Sequence, residues 1–236
     1  MFKVPCYHDP RSYAARVWSN TELMRICKEL SGSVVNVSAW KDSDKQGDYY
    51  RNYFINATEY WMTNWKSDAR GFQGDNENEI YLDLEKELPE ALSNRFDVVF
   101  NHTTLEHVFE VFKAFECLCS MSKDCVIVVV PFMQEQHGEY GDYWRFTPLS
   151  LKRLFDKYGY ELSYISYNDG PRDAIYVVAA ASINKETADK LKTICGNKLS
   201  EISNKFIGQK IIKQYPLPLR YFNKVLRMLE HALRRK

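Results

Sequence analysis

The sequence has almost no surplus charge, no Cys-x-x-Cys pair and no long apolar run. Its 32 Lys and Arg stand against 31 Asp and Glu, so the chain as a whole has no electrostatic reason to bind nucleic acid. No apolar stretch approaches the roughly 18 residues of a membrane span. Met1-Phe2-Lys3-Val4-Pro5-Cys6 lacks a signal-peptide core, so a cytoplasmic protein is expected. Cys6, Cys27, Cys117, Cys119, Cys125 and Cys195 follow no zinc or redox spacing and read as buried free thiols. Internal repeats and low-complexity segments are absent. What remains, 236 residues of which 45% are hydrophobic, can bury a full core as one α/β domain with an appendage.

The most informative stretch is 96–148. Phe96-Asp97-Val98-Val99-Phe100 and Cys125-Val126-Ile127-Val128-Val129-Val130 do not alternate with polar residues, as expected of strands covered on both faces in a parallel sheet. Between them Leu105, Val108, Phe109, Phe112 and Phe115 recur at helical spacing, which predicts a crossover helix. Ligands in such sheets collect beyond the carboxyl ends of the strands, where Asn101-His102-Thr103-Thr104 and Pro131-Phe132 would lie. Elsewhere the pattern predicts a helix over 21–30 ended by Ser31-Gly32, and strands over 33–38, 59–63 and 79–84. Thr147 and Pro148 mark the start of a helix with Leu151, Leu154, Phe155 and Tyr158 inward and Gly159 at its end. Two closing strands, 161–167 and 174–181, are joined by the turn Asn168-Asp169-Gly170-Pro171.

Leu105-Glu106-His107-Val108, Val130-Pro131-Phe132, His137 and the run Asp142-Tyr143-Trp144-Arg145-Phe146-Thr147-Pro148 occur in that order after the first buried strand. With these residues the chain resembles the class I methyltransferases that use S-adenosylmethionine. Within them it resembles a bacterial branch associated with surface polysaccharide and lipopolysaccharide clusters. The likeness covers residues 31–182, and its Trp-Arg-Phe-Thr-Pro run is more specific than Leu-Glu-His-Val. It implies a Rossmann-like, mostly parallel seven-stranded sheet with a C-terminal antiparallel hairpin. The division it suggests is a methyltransferase-like domain over 1–182 and a helical basic extension over 183–236.

The resemblance also implies a site. S-adenosylmethionine would meet the loop Ser38, Ala39 and Trp40, where relatives carry glycines, and Asn64, where relatives carry an acid that binds the ribose hydroxyls. Asp83 and Leu84 would stand beside the adenine, and Asn101 and His102 near the methionyl part. His137, after the fifth strand, is the candidate base or acceptor contact, and His107 the second candidate. Tyr140, Asp142, Tyr143 and Arg145 would bind the acceptor, a sugar or polysaccharide-related hydroxyl. Asp142 and Arg145 pairing only with each other is the structural alternative. His102, His107 and His137 with nearby Glu106 and Glu139 could suggest a metal, but they show no short ligand spacing of the zinc type, so none is expected. The rival reading is a methyltransferase fold that has lost its cofactor and serves as a binding or scaffolding subunit.

The tail is distinct. From 205 to 236 there are nine Lys or Arg against one acid, Glu230, and Phe222, Val225, Leu226, Leu229 and Leu233 form an apolar stripe. Such a helix can lie on an anionic membrane surface or dock on the domain or a second subunit.

Overall fold

The computed structural model describes residues 10–66, 71–74, 76–138, 141–168 and 175–202. Helix α1 (Pro10–Cys27) leads into β1 (Ser31–Val37), β2 (Asn56–Asn64), β3 (Glu79–Tyr81) and β4 (Phe96–His102). After these come α2 (Val111–Met121), β5 (Ser122–Met133), α3 (Pro148–Lys157), β6 (Glu161–Tyr167) and β7 (Ile175–Ser182). Helices α4 (Lys185–Cys195) and α5 (Lys198–Glu201) follow the last strand.

The strands form one sheet in the order β3-β2-β1-β4-β5-β7-β6. The first five pair in parallel, and β7 runs antiparallel to both β5 and β6. This is the Rossmann-like arrangement expected, with its antiparallel end. Strand order reverses between β1 and β4, so their carboxyl ends flank the crevice where such sheets place ligands. All six residues from Cys125 to Val130 are fully buried, as the unalternating run required. Each such valine contributes about 1.5–3 kcal/mol of transfer free energy.

Some local expectations change. Helix α1 starts eleven residues earlier than 21 and ends at Cys27, while Ser31 and Gly32 belong to β1. Gly32 has φ +95°, and a methyl group there would run into the Asp97 carboxylate, which accepts from Ser33 N at 2.7 Å and Ser33 Oγ at 2.8 Å. The third strand stops at Tyr81, because Asp83 turns the chain by accepting from Glu85 N at 3.0 Å.

The predicted crossover helix is divided. Leu105–His107 is a single 3-10 turn, and the α-helix begins only at Val111. The Glu106 carbonyl accepts from Tyr143 N (2.7 Å) and Trp144 N (3.3 Å). Glu85 Oε1 takes the amides of Phe109 and Glu110 at 3.0 and 3.2 Å, so neither amide joins a helix through 105–110. That carboxylate instead caps the start of α2, where negative charge suits the helix dipole. Phe109 and Phe112 are exposed, and Val111, Ala114, Phe115 and Leu118 form the buried face.

The α3 cap matches its sequence signal: Thr147 Oγ1 accepts from Ser150 N at 3.0 Å with Pro148 at the first helical position. Cys27, Cys117, Cys119, Cys125 and Cys195 are free and buried. No helix among the described residues is long and apolar enough to cross a membrane. The Asp169-Gly170-Pro171 turn, Tyr140 and the basic stripe of 205–236 lie outside the described residues.

Candidate active site

Two groups of side chains meet at the carboxyl ends of the strands. The first surrounds the loop after β1. Ser38, Trp40, Asp42 and Lys45 all take positive φ, between 52° and 62°, so the loop follows the left-handed path that glycine adopts freely while carrying side chains. The end of β2 holds it: Ser38 N donates to Thr63 Oγ1 (3.2 Å), Ala39 N to Thr63 O (3.1 Å) and Trp40 N to Asn64 Oδ1 (2.6 Å). Asn64 Nδ2 donates both to Trp40 O (3.2 Å) and to Glu79 Oε1 (2.6 Å), which occupies both of its hydrogens. Ser38, Ala39, Trp40 and Asn64 are therefore brought together, with Asn64 buried and used as a brace.

Two buried acids stiffen the same loop. Asp42 accepts from Asn36 Nδ2 (2.8 Å), Tyr60 Oη (2.6 Å) and Arg51 N (3.0 Å). Asp44 accepts from Gln46 N, Asp48 N and Tyr53 Oη within 3.0 Å. Burial would raise the Asp44 pKa, but these donors outweigh it and hold the carboxyl below its ordinary value. Tyr50 packs on Phe100 and His102, each at 5.2 Å between centroids.

At the end of β4, Arg16 reaches from α1 to Tyr50 Oη (3.0 Å), His102 Nδ1 (3.1 Å) and Thr103 Oγ1 (3.1 Å). These partners are all neutral. Ser19 Oγ spends its proton on Arg16 O, so His102 Nε2 donates to that hydroxyl at 3.2 Å while Nδ1 accepts from Arg16. Burial, and then the Arg16 and Lys45 charges, hold the His102 pKa well below its usual value, so the ring is neutral. Thr103 has φ 47°, costly for a β-branched residue and typical of a functional loop. Asn101 Nδ2 donates to Val37 O (2.9 Å), while its Oδ1 is buried without a hydrogen-bond partner among the described residues. Asp83 and Leu84 stand at the end of β3, where Leu82 N donates to Asn64 O at 2.9 Å. Arg16, Ser19 and Tyr50 have no signal in the sequence as site residues; Thr103 is marked there only by its place in the strand-end run Asn101-His102-Thr103-Thr104.

The second group joins the turn after β4 to the segment after β5. Gly141, with φ +98°, presents its carbonyl to His107 Nδ1 at 2.5 Å, so that nitrogen carries the proton. Burial lowers the His107 pKa, and the nearby His137 adds to the effect. The His137 ring stands 5.1 Å from His107, and its Nδ1 lies 3.2 Å from Asp142 Oδ2 but off the line of a hydrogen bond. Asp142 accepts from both terminal nitrogens of Arg145 and from His137 N at 2.7 Å. Arg145 also donates to the carbonyls of Gln134, Glu135 and Trp144. Asp142 and Arg145 thus act on each other and shape the loop. Tyr143 is exposed, with its ring edge-on to Phe109.

Glu106 sits beneath this loop. Its carboxylate is fully buried, neither oxygen has a hydrogen-bond partner among the described residues, and burial lifts its pKa to about 8. From the sequence Glu106 could be named as part of Leu-Glu-His-Val and as an acid near the histidines, but not as a buried carboxylate; the segment packed on it, whose Tyr143 and Trp144 amides donate to its backbone carbonyl, lies more than 35 residues later.

No protein-family model matches the sequence, and no curated protein does. Solved structures resemble it through the fold. The magnesium protoporphyrin IX methyltransferase of Synechocystis PCC 6803, crystallised with S-adenosylhomocysteine, superposes with a TM-score of 0.52 over 78% of this chain and 90% of that one, at 10% identity. An S-adenosylmethionine-dependent methyltransferase of Mesorhizobium loti also gives 0.52, over 72% and 99%, at 10% identity. The former has also been crystallised with S-adenosylmethionine itself. The chain therefore has the Rossmann-like class I methyltransferase fold, and its structural neighbours include methyltransferases that use S-adenosylmethionine.

Proposed function

We propose that the chain is an S-adenosylmethionine-dependent methyltransferase acting on a hydroxyl of a sugar or polysaccharide-related acceptor. The observation that carries this reading lies at the end of β4. Among the described residues the hydrogen-bond partners of Arg16 are all neutral, and Asn101 Oδ1 is a buried acceptor with no donor. Together they match the carboxylate and the ammonium of a methionyl group. The ribose end matches less well, since the Asn64 amide is already committed to Trp40 and Glu79. Asp83 and Leu84 remain the candidates beside the adenine.

When bound, the cofactor supplies an electrophilic methyl group. The chain's own contribution is to position the acceptor, which provides much of the acceleration in such a displacement. The partly exposed His137, next to His107, takes the hydroxyl proton or holds the acceptor, and the exposed Tyr143 offers a face to a sugar ring. The Asp142–Arg145 pair keeps this segment in place.

Calorimetric titration of the full chain with S-adenosylmethionine tests the reading. Saturable binding that weakens in Asp83→Ala supports it, and His137→Ala should lower turnover at unchanged cofactor affinity. The committed Asn64 amide favours a second reading, a cofactor-free fold that binds or scaffolds. Absence of heat and of a thermal shift at millimolar ligand selects that one. The basic stripe of the tail extends the proposal to peripheral contact with anionic membrane, or to docking on a second copy. Vesicle co-sedimentation and light scattering, with and without truncation after Tyr215, separate these.

A further inference from the structure

We propose that Glu106, His107 and His137 form a binding site for a single divalent transition-metal ion on the acceptor side of the sheet. One ligand atom from each lies within 4.8 Å of the others, and Glu106 Oε1 is 3.9 Å from His107 Nε2. Ligands about 2.0–2.2 Å from a shared ion stand some 3.3–3.6 Å apart. Only a small inward movement is needed, and His137, the outermost of the three, has a loop position from which to make it.

The second observation is the state of Glu106. The other two acids buried to this degree in the loop after β1, Asp42 and Asp44, each accept three or more hydrogen bonds. The Glu106 carboxylate is as deeply buried and accepts none from the described residues. A carboxylate removed from water without donors needs a cation or a proton. The surroundings are arranged for a cation. The Gly141 carbonyl takes the His107 Nδ1 proton and turns Nε2 toward Glu106, the outer-sphere pattern that orients a ligating imidazole. Asp142, braced by Arg145, accepts from the His137 backbone amide at 2.7 Å and lies 3.2 Å from its Nδ1, without a hydrogen bond to the ring. The Glu106 backbone is fixed by the amides of Tyr143 and Trp144.

Two imidazoles and one carboxylate suit Zn2+, Fe2+, Co2+ or Mn2+ better than Ca2+ or Mg2+, and leave coordination positions open. In the proposed methyl transfer, on which this role alone rests, the ion holds the acceptor hydroxyl and makes it more acidic. His137 then places the acceptor through the ion.

The test uses untagged full-length protein, stripped with chelator and titrated with Co2+ followed by visible absorption and calorimetry, without S-adenosylmethionine. One ion per chain is expected, with affinity reduced at least about tenfold in Glu106→Gln and in His107→Ala. An exposed-acid control, Glu186→Gln, should bind as the unaltered chain does. Glu106→Gln keeps shape and neutral polarity, and its thermal unfolding reports that it remains folded. Absence of stoichiometric Co2+ binding, or equal affinity in all variants, overturns the proposal and leaves Glu106 as a protonated acid. S-adenosylmethionine titrated into the same preparations keeps the two readings apart. Cobalt binding without cofactor binding upholds the metal site and refutes the transferase; cofactor binding without cobalt binding does the opposite.

Discussion

Replacing Asp142 by Asn should loosen the segment that carries His137 and should do so in a pH-dependent way. The hydrogen bonds from Arg145 come first among the causes that bring the Asp142 pKa down to about 2, against an ordinary 3.8, and they outweigh the opposing effect of burial. Since one pKa unit corresponds to about 1.4 kcal/mol, the carboxylate contributes about 2 kcal/mol at neutral pH. Asn keeps one acceptor but turns an NH2 group toward donors, Arg145 and the His137 amide, so the loss should reach about 2–3 kcal/mol. The folded-state pKa lies below the unfolded one. The contribution is therefore complete above about pH 5 and fades as pH falls toward 2. Urea unfolding of both proteins at pH 7, 5, 4 and 3 measures the gap, which should narrow steadily over the last three. A gap below about 0.5 kcal/mol at pH 7, or one that stays constant to pH 3, refutes the reasoning.

Asn64→Asp should destabilise this chain by about 1–3 kcal/mol at pH 7, because the new carboxylate would face Glu79 where Asn64 Nδ2 now donates at 2.6 Å. Like charge raises its pKa, so part of the loss should return on acidification to pH 4.5. A thermal melt showing higher stability at pH 7 contradicts this. Thr147→Ala removes the acceptor for Ser150 N and should lower stability by about 1 kcal/mol in urea at unchanged slope; an unchanged midpoint would show the cap to be idle.

The frame of the fold was legible because its signals are local. The run from Cys125 to Val130 is buried throughout, and Thr147-Pro148 caps α3 as written. The turn after β4 was not legible. The periodicity of Leu105, Val108, Phe109, Phe112 and Phe115 matched a helix, but the Glu85 carboxylate and the Tyr143 and Trp144 amides claimed the backbone groups such a helix needs. The site was half legible for the same reason. His107, His137, Asp142 and Arg145 lie in motifs and can be named as candidates from the sequence. The contacts of Arg16 with Tyr50 and His102 span 34 and 86 residues and leave no trace in spacing. Asn64 could be read as a weakened ribose contact, but its commitment to Trp40 and Glu79 exists only in three dimensions.

The measurement that bears most directly on the central claim is a calorimetric titration of the full-length chain and of Arg16→Gln with S-adenosylmethionine. One saturable site is expected, weakened about tenfold or more in the variant, since a charged hydrogen bond to the methionyl carboxylate contributes about 1.5–3 kcal/mol. No heat and no thermal shift at millimolar ligand, or equal affinity in both proteins, would contradict it.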